Sequence, residues 1–576
     1  MRTAADFSAE IAALYDRLLA EPLNPVWISL VPREAALRRA REIAGYPELP
    51  LAGMTFAVKD NFDVAGMTTT AGCPAYAYTA AKTATVIRRL EEAGALLIGK
   101  TNMDQFATGL VGTRTPYGAC SSVFDSRYIS GGSSSGSAVA VAKKQVTFSL
   151  GTDTAGSGRV PAAFNGLIGL KPTRGLLSTD GVVPACRSLD CVSIFVENCT
   201  DADAVWRVAR GFDPADPFSR APRAGEGAAP WLYSDFRFGV PSPEHLEFFG
   251  DQEAACLYRK AVEQLRKMGG EIVVIDFAPF RQAAELLYGG AWVAERLAAI
   301  KGFFTDHAAE MDPVVRGIIG GAAKHSAVDE FEGEYRLREL CAEADKQWRE
   351  MDVLVLPTTG TIYTHEQVAA EPLKLNTNLG YYTNFVNLMD LTAVAAPAGF
   401  RSNGLPFGVS FVGPAFSDEA LLALANRYLG GTTPLLESCP GCVEVAVVGA
   451  HLSGEPLNSQ LTERGARLLK TCRTATDYRL YALAGSVPPK PGLIRERNFQ
   501  GPGIEVEVWA MPEDRFGGFV AAIPPPLGIG TVTLDNGDAV KCFLCEPDAL
   551  SEAKEITHLG GWRAYLASSK SSIAAI

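Results

Sequence analysis

The 576-residue sequence predicts an α/β protein: a mixed, mostly central β-sheet covered by helices on both faces, followed by a small β-rich α+β domain. Over residues 1–435, segments of helical period alternate with short apolar runs that lack polar alternation, which is typical of buried strands between helices. Gly, Pro and Ser then cluster at 429–443, and short strand-like segments follow. We therefore predict two domains, 1–435 and 443–576.

The first segments follow this pattern. Residues 1–22 predict an amphipathic helix and not a signal peptide, because acidic residues interrupt its apolar positions. Residues 84–92 predict a helix that stops at Ala93-Gly94, and ALLIG after it predicts a buried strand. Residues 94–101 also match the phosphate-loop pattern GxxxxGK[ST]. A charged helix precedes this stretch and its loop positions are apolar, so the match is interpreted as a coincidence.

The middle of the chain alternates in the same way. VTFSLG at 146–151 predicts a strand before a glycine-rich turn at 152–158. The charged stretch 329–350 predicts a long helix, and 352–358 predicts a strand after it. The composition of 212–231 is rich in Pro, Ala and Gly, which indicates a loop.

The C-terminal part predicts short strands at 443–454, 478–485, 504–511, 518–530 and 539–546. Two cysteine pairs occur near here: Cys439/Cys442 in the linker and Cys542/Cys545 in the last of these predicted strands. A structural zinc ion needs four converging ligands, and two residues three positions apart on a strand face opposite sides of it. We therefore interpret these residues as isolated thiols and expect no metal.

Composition narrows the function. The chain has 53 Lys and Arg against 65 Asp and Glu, a formal net charge of −12, which argues against nucleic-acid or anionic-membrane partners. Twelve scattered cysteines do not form a secreted disulfide framework, and no apolar run approaches the ~18 residues of a membrane span. We expect a cytoplasmic protein, in which an anionic substrate would need a dedicated local cation.

Two serine-rich segments indicate the chemistry. SGGSSSG at 130–136 opens onto a stretch of small apolar residues, as a tight turn before a helix would. In GTDTAGSG at 151–158 a strand runs into a turn whose backbone N–H groups can converge on an oxyanion, with Ser157 as a potential nucleophile. The first histidine of the chain is His245, so a histidine base would come from far away in sequence. Lys59, at the end of an apolar strand, is the alternative base because burial lowers the pKa of a lysine.

Three segments together resemble the amidase signature family: FAVKDNFDVAG at 56–66, SGGSSSGSAVAVA at 130–142 and LGTDTAGSGRVPAAFNGLIGLKPTRG at 150–175. The resemblance implies a Ser–cis-Ser–Lys triad and no metal or organic cofactor. By position, Ser157 would be the nucleophile, Ser133 the proton-relaying serine after a cis peptide bond, and Lys59 the base.

The resemblance also implies an oxyanion hole. In this sequence it would consist of the backbone amides of Thr154, Ala155 and Gly156. Many relatives have Gly-Gly before the nucleophile where this chain has Ala155-Gly156, and the methyl group would narrow the site while leaving the amide donors in place.

Three further regions resemble the allophanate hydrolases within that family: 170–195, 285–300 and the C-terminal domain. Tyr288, Trp292 and Arg296 are spaced i, i+4, i+8, which predicts one ridge of a helix. A phenol and a guanidinium on that ridge can grip a carboxylate, so Tyr288 and Arg296 are the predicted substrate clamp. The alternative is that Arg296 pairs with a surface acid while Trp292 faces the core.

The resemblance implies hydrolysis of the small anionic amide allophanate to ammonia and CO2 in urea degradation, by a homodimer coupled to a urea carboxylase. Alternatives are another small amide as substrate, a non-catalytic scaffold, or a glutamine-dependent amidotransferase of the A type. His451, at a predicted strand-to-turn junction, is a possible second-domain site for decarboxylating the intermediate. A structural histidine or a dimer-forming module is the alternative there.

Overall fold

The computed structural model describes residues 4–21, 25–221, 236–431 and 442–573, which form two compact units. The first is drawn from 4–221 and 236–431, and the second from 442–573. The predicted boundary between 435 and 443 falls almost wholly on residues outside the described ranges and stays a prediction. The same holds for residues 222–231 of the predicted loop.

The first unit is built on one eleven-stranded mixed sheet, as the apolar runs predict. The strands of this sheet are β1 Trp27–Leu30, β2 Thr55–Lys59, β5 Leu96–Thr101, β6 Phe148–Asp153, β7 Ile168–Lys171, β8 Cys191–Val196, β9 Phe236–Pro241, β10 Gly270–Ile275, β11 Val353–Pro357, β12 Leu391–Phe400 and β13 Pro406–Pro414; a small ribbon pairs β3 Thr68–Thr69 with β4 Tyr78–Thr79. The strand order in the large sheet is β1-β5-β2-β6-β8-β7-β12-β13-β11-β9-β10.

Helices surround this sheet. They are α1 Ala4–Ala20, α2 Arg33–Ile43, α3 Thr85–Glu92, α4 Ser135–Ala142, α5 Val160–Phe164, α6 Cys199–Ala209, α7 Gln252–Lys267, α8 Ala278–Gly289, α9 Trp292–His307, α10 Pro313–Gly320, α11 Ala327–Trp348, α12 His365–Ala370, α13 Lys374–Leu379, α14 Phe385–Leu388 and α15 Asp418–Tyr428. The predicted α/β fold is confirmed, and α11 begins with a capping box in which Ser326 and Asp329 satisfy each other's backbone amides.

The register of two central strands determines where the functional residues meet. β2 and β6 are parallel neighbours, with Val58 opposite Leu150. Their carboxyl ends therefore lie at the same edge of the sheet, Lys59 ending β2 and Asp153 ending β6. The glycine-rich turn that follows β6 begins beside the lysine for this reason.

The second unit contains a five-stranded and a three-stranded sheet. The strands are β14 Cys442–Val447, β15 Arg467–Arg473, β16 Tyr478–Ala482, β17 Pro491–Arg495, β18 Glu505–Pro512, β19 Leu527–Thr533, β20 Ala539–Cys545 and β21 Lys554–Glu555, with helices α16 Ser459–Thr462, α17 Glu513–Ala521 and α18 Trp562–Ile573. The strand orders are β15-β18-β14-β20-β19 and β17-β16-β21. The predicted β-rich α+β domain is confirmed.

One predicted strand in this unit is wrong in its first half. Residues 518–521 lie in α17, and only Leu527 onward forms β19. A short apolar run does not distinguish a strand from a buried helix turn, and the three prolines at 524–526 separate the two elements. Phe519 is buried against the five-stranded sheet from the helix.

The two misleading motifs have plain structural explanations. The stretch that matches the phosphate-loop pattern is strand β5, and Lys100 is buried in an ion pair with Asp60 at 3.1 Å. Cys542 and Cys545 are buried free thiols on β20, while Cys439 lies outside the described residues.

Candidate active site

Lys59, Ser133 and Ser157 meet in the first unit. Lys59 Nζ lies 2.7 Å from Ser133 Oγ, and Ser133 Oγ lies 2.9 Å from Ser157 Oγ. All three side chains are buried, and Lys59 also donates to Thr152 Oγ1 at 2.8 Å. The arrangement is a continuous hydrogen-bonded chain from an amine, through one hydroxyl, to a second hydroxyl.

The segment before α4 places Ser133. The Gly132–Ser133 peptide bond is cis, as the family resemblance implies. Gly131 has φ +74°, which favours glycine, and a Cβ on Gly132 would lie 2.2 Å from a carboxylate oxygen of Asp104. The Asp104 amide donates to the Ser133 carbonyl at 3.0 Å, so the two glycines allow the relay serine to be held against this loop.

The electrostatics of Lys59 suit a base. Burial lowers the pKa of Lys59 to about 7, although the carboxylates of Asp104, Asp190 and Asp153 oppose the shift. An amine with this pKa is substantially neutral at pH 7 and can accept a proton.

An ion pair stabilises the nucleophile turn, which is the glycine-rich turn after β6 that carries Ser157. Asp153 binds Arg159 through two hydrogen bonds of 2.9 Å, and both side chains are fully buried. Burial raises the pKa of Asp153, but Arg159 outweighs it and holds that pKa below its usual value. The carboxylate also accepts the amides of Gly156 at 2.8 Å and Gly158 at 3.0 Å. The Gly156 amide is therefore committed to Asp153, which leaves Thr154 and Ala155 of the three amides predicted to bind the oxyanion.

The sequence reasoning did not single out Asp190. Its carboxyl group accepts the hydroxyl of Thr154 and the amides of Ala185 at 2.8 Å and Cys186 at 3.2 Å. Burial raises the pKa of Asp190 to about 6. Asp190 thus joins the turn that carries Thr154 to Ala185 and Cys186. In the sequence, only its place as an acid in the largely apolar stretch SLDCVSIF indicates this role.

The predicted clamp residues come from two helices and not from one ridge. α8 ends at Gly289, Gly290 is extended with ψ −170°, and α9 begins at Trp292. The helical spacing of the residues continues through this break in the sequence. The helical backbone does not, because it ends at the Gly289-Gly290 pair and glycine disfavours a helix. Tyr288 and Arg296 nevertheless meet: Arg296 Nη2 donates to the Tyr288 hydroxyl at 3.2 Å and lies over its ring.

Arg296 is a buried cation. It is 2% exposed, and its Nη1 donates to Thr108 Oγ1 at 3.1 Å and to the Ala107 carbonyl at 3.4 Å. Among the residues that the structure describes it forms no ion pair, and its Nε has no partner. A buried charge of this kind calls for an anion. Within the described ranges Arg296 therefore pairs with no surface acid, while Trp292 is buried in the core as that alternative supposed.

His451 lies in the second unit beside a cavity of about 290 Å³. Its Nε2 is 3.1 Å from Gln460 Oε1, and its ring stacks on Phe543 with centroids 4.9 Å apart. Burial lowers the pKa of His451, so the imidazole is neutral at pH 7. The cavity is otherwise mainly apolar and has the cation Lys490 in its lining.

Comparison with known proteins decides the family. The family model named Amidase matches residues 12–422. The chain belongs to the amidase family. In this amidase-family chain, residues 443–567 match the model of the allophanate hydrolase C-terminal domain. Both halves of the predicted resemblance are confirmed.

Several relatives resemble this amidase-family chain over most of its length. A solved allophanate hydrolase from Kluyveromyces lactis superposes with a TM-score of 0.81 at 42% identity, covering 98% of this chain and 99% of that one. The urea amidolyase of Lachancea kluyveri is 44% identical over 95% of this chain, which spans only 31% of that relative. The A-type component of a glutamyl-tRNA(Gln) amidotransferase from Deinococcus deserti is 34% identical over 70% of this chain and 88% of that relative.

Two other kinds of feature are absent from the described residues. Within those ranges, no helix is long and apolar enough to cross a membrane. Across the same residues, no group of three or more His, Cys, Asp and Glu side chains is arranged to hold a metal ion.

Proposed function

We propose that this chain hydrolyses allophanate (urea-1-carboxylate) to ammonia and CO2 through an acyl-enzyme on Ser157. The observation that carries the proposal is the buried cation Arg296, with a free Nε, in the same unit as a lysine–serine–serine chain. Allophanate combines a primary amide with a carboxylate, the two groups that these two features suit. The end-to-end match to an allophanate hydrolase supports the same substrate.

The proposed reaction begins with a proton relay. Neutral Lys59 accepts the Ser133 proton while Ser133 accepts that of Ser157, and Ser157 Oγ attacks the terminal amide carbon. The amides of Thr154 and Ala155 stabilise the resulting oxyanion. Ser133 then returns the proton to the leaving nitrogen, ammonia departs, and water hydrolyses the acyl-enzyme to N-carboxycarbamate.

The substrate panel tests the proposal against the alternatives. Ammonia release from allophanate is compared with that from glutamine, using the full chain. We expect allophanate to be hydrolysed with two molecules of ammonia and two of CO2 formed per substrate. Release from glutamine alone would favour the amidotransferase-type alternative, and no turnover of any amide would favour a non-catalytic scaffold.

The pH dependence follows from the pKa of Lys59. The base must be neutral, so kcat/KM for the stable analogue malonamate should rise tenfold per pH unit at low pH and level off above pH about 7. The profile is measured by ammonia release between about pH 5 and 9. A profile that falls with rising pH across that range would contradict a lysine base.

We also propose that the cavity beside His451 decarboxylates N-carboxycarbamate. Lys490 would attract the dianion into a mainly apolar cavity, where loss of CO2 together with protonation of the nitrogen converts the dianion into a monoanion and so lowers the buried charge. A proton must reach the carbamate nitrogen as the C–N bond breaks, and the half-buried imidazole of His451 would relay it from water.

His451→Asn separates the two steps. We expect the first ammonia to be released at the normal rate, while CO2 formation slows at least about tenfold and N-carboxycarbamate accumulates, as followed by ¹³C NMR. The matched control is His558→Asn, which changes an exposed histidine in the same unit. Unchanged CO2 release in His451→Asn would leave this histidine a structural role.

The wider setting rests on the resemblance. We propose that a urea carboxylase supplies allophanate, that the protein acts in the cytoplasm, and that the chain forms a homodimer. We further propose domain limits of 1–435 and 443–576. Sedimentation, in which a dimer would have twice the 61.4 kDa mass of the chain, tests the oligomeric state.

A further inference from the structure

The mechanism leaves one buried hydroxyl unused. Thr383 lies just before α14, is 0% exposed, and its Oγ1 has no hydrogen-bond partner among the described residues. Buried hydroxyl groups are nearly always paired, so an orphaned one beside a reactive centre indicates a ligand that completes it.

This hydroxyl faces the nucleophile turn. A Cβ placed on Gly156 would lie 2.5 Å from Thr383 Oγ1 and 2.7 Å from Thr383 Cβ. Gly156 also has φ +129°, and it immediately precedes Ser157. The absence of a side chain at Gly156 is what allows the hydroxyl to approach the turn that carries the nucleophile.

One guanidinium holds the backbone of Thr383 and the nucleophile turn together. Arg159 Nη2 donates to the Thr383 carbonyl at 3.1 Å, and the same side chain binds Asp153. Asp153 in turn holds the Gly156 amide at 2.8 Å. The position of Thr383 relative to Ser157 is therefore preorganised by a buried ion pair, as a substrate-binding group requires.

The polar groups of the substrate can be matched to those of the site. This step rests on the proposed function. The carbonyl oxygen is matched to the oxyanion amides, the carboxylate to Arg296, and the leaving nitrogen to Ser133. The N–H that links the scissile carbonyl to the carboxylate has no partner in this assignment.

Asn61 Oδ1 is a second unpaired buried acceptor near the triad. Its side chain lies close to Lys59, because Asn61 Nδ2 and Lys59 Nζ both donate hydrogen bonds to Thr152 Oγ1. Asn61 therefore suits the leaving amine and not the linking N–H.

We propose that Thr383 Oγ1 accepts a hydrogen bond from the linking N–H of the substrate, and so selects N-carboxylated ureas over analogues linked through carbon. Allophanate carries this N–H, whereas malonamate has a CH2 group in its place and otherwise carries the same primary amide and the same carboxylate. Thr383 is thus a specificity residue for the linking atom, while Arg296 recognises the charge.

The test is Thr383→Val, which replaces the hydroxyl with a methyl group of the same shape. We expect kcat/KM for allophanate to fall about tenfold and that for malonamate to change less than about twofold, since one neutral hydrogen bond is lost with only one of them. Because the hydroxyl has no partner in the described part of the chain, the melting temperature should not fall.

Two further variants make the result decisive. Thr383→Ser keeps the hydroxyl and should restore the preference for allophanate. Ser193→Ala removes another unpaired buried hydroxyl, packed against Gly158 of the same turn, and should change both substrates by one common factor. An equal loss for both substrates in Thr383→Val would overturn the inference while leaving allophanate hydrolysis intact. Failure of the unmodified chain to hydrolyse allophanate would instead overturn the proposed function.

Discussion

Ser157→Ala is expected to lower kcat for allophanate by at least about 10⁴-fold, because no acyl-enzyme can form without the nucleophilic oxygen. The residual oxyanion turn and relay can bind substrate but cannot replace that bond. Ammonia release over hours, with enzyme in large amounts, measures the residual rate. The fold should survive, since the change removes one hydroxyl whose hydrogen bond contributes about 1 kcal/mol.

The matched control for this variant is Ser135→Ala. Ser135 is a buried serine of the Gly-Ser run that contains Ser133, and its hydroxyl donates to the Asn102 carbonyl at 3.3 Å, outside the relay. Its activity should stay within about tenfold of the unmodified chain, the scale of one hydrogen bond. Ser157→Ala protein that keeps turning over allophanate at more than a few per cent would refute the nucleophile assignment.

Arg296→Ala has the second largest expected effect. Removing the guanidinium deletes up to two charge-assisted hydrogen bonds to the substrate carboxylate, from Nε and the second Nη2 hydrogen, each worth about 1.5–3 kcal/mol. We expect kcat/KM for allophanate to fall at least about 10²-fold, mainly through KM. In biuret a neutral carboxamide replaces the carboxylate, so kcat/KM for biuret should fall far less in this variant.

Two variants control for the loss of packing in Arg296→Ala. Arg296→Lys keeps the charge without the planar guanidinium. Its kcat/KM for allophanate should therefore lie between that of the unmodified chain and that of Arg296→Ala. Arg89→Ala removes an arginine that donates to the backbone carbonyls of Ala209 and Gly211, and it should leave the allophanate-to-biuret ratio unchanged. Equal losses on both substrates in Arg296→Ala would show that this arginine is structural.

The reacting residues could be proposed from the sequence because they lie in local strand-to-turn segments. Lys59 ends a strand and Ser157 follows one, so the pleated sheet itself brings them together once the strands are neighbours. The hydrogen bonds of 2.7 and 2.9 Å through Ser133 complete what the three segments indicate.

The residues that position the site could not be found in this way. Asp190 reaches Thr154 across 36 positions, and Arg159 reaches Thr383 across 224. Contacts over such separations depend on how whole helices and strands pack, and the local periodicity of the sequence does not predict that packing. The commitment of the Gly156 amide to Asp153 is invisible for the same reason, because every amide of a turn looks equally available in a sequence.

Tyr288 and Arg296 show how two residues that meet in the fold can be predicted to do so for an incorrect reason. Spacing i, i+8 placed Tyr288 and Arg296 on one ridge, but the extended Gly290 ends the first helix between them. The hydroxyl and the guanidinium meet because the second helix is packed against the loop carrying Thr108. Periodicity identified two residues that could serve one carboxylate, and tertiary packing supplied the contact.

The ratio of kcat/KM for allophanate to that for biuret, measured on the unmodified chain by ammonia release, tests the central claim most directly. The two substrates share the scissile amide and the linking N–H, and they differ only in the group that Arg296 would hold. If Ser157 hydrolyses an amide whose carboxylate is bound by Arg296, allophanate should be preferred by at least about 10²-fold. Equal or faster hydrolysis of biuret would contradict it.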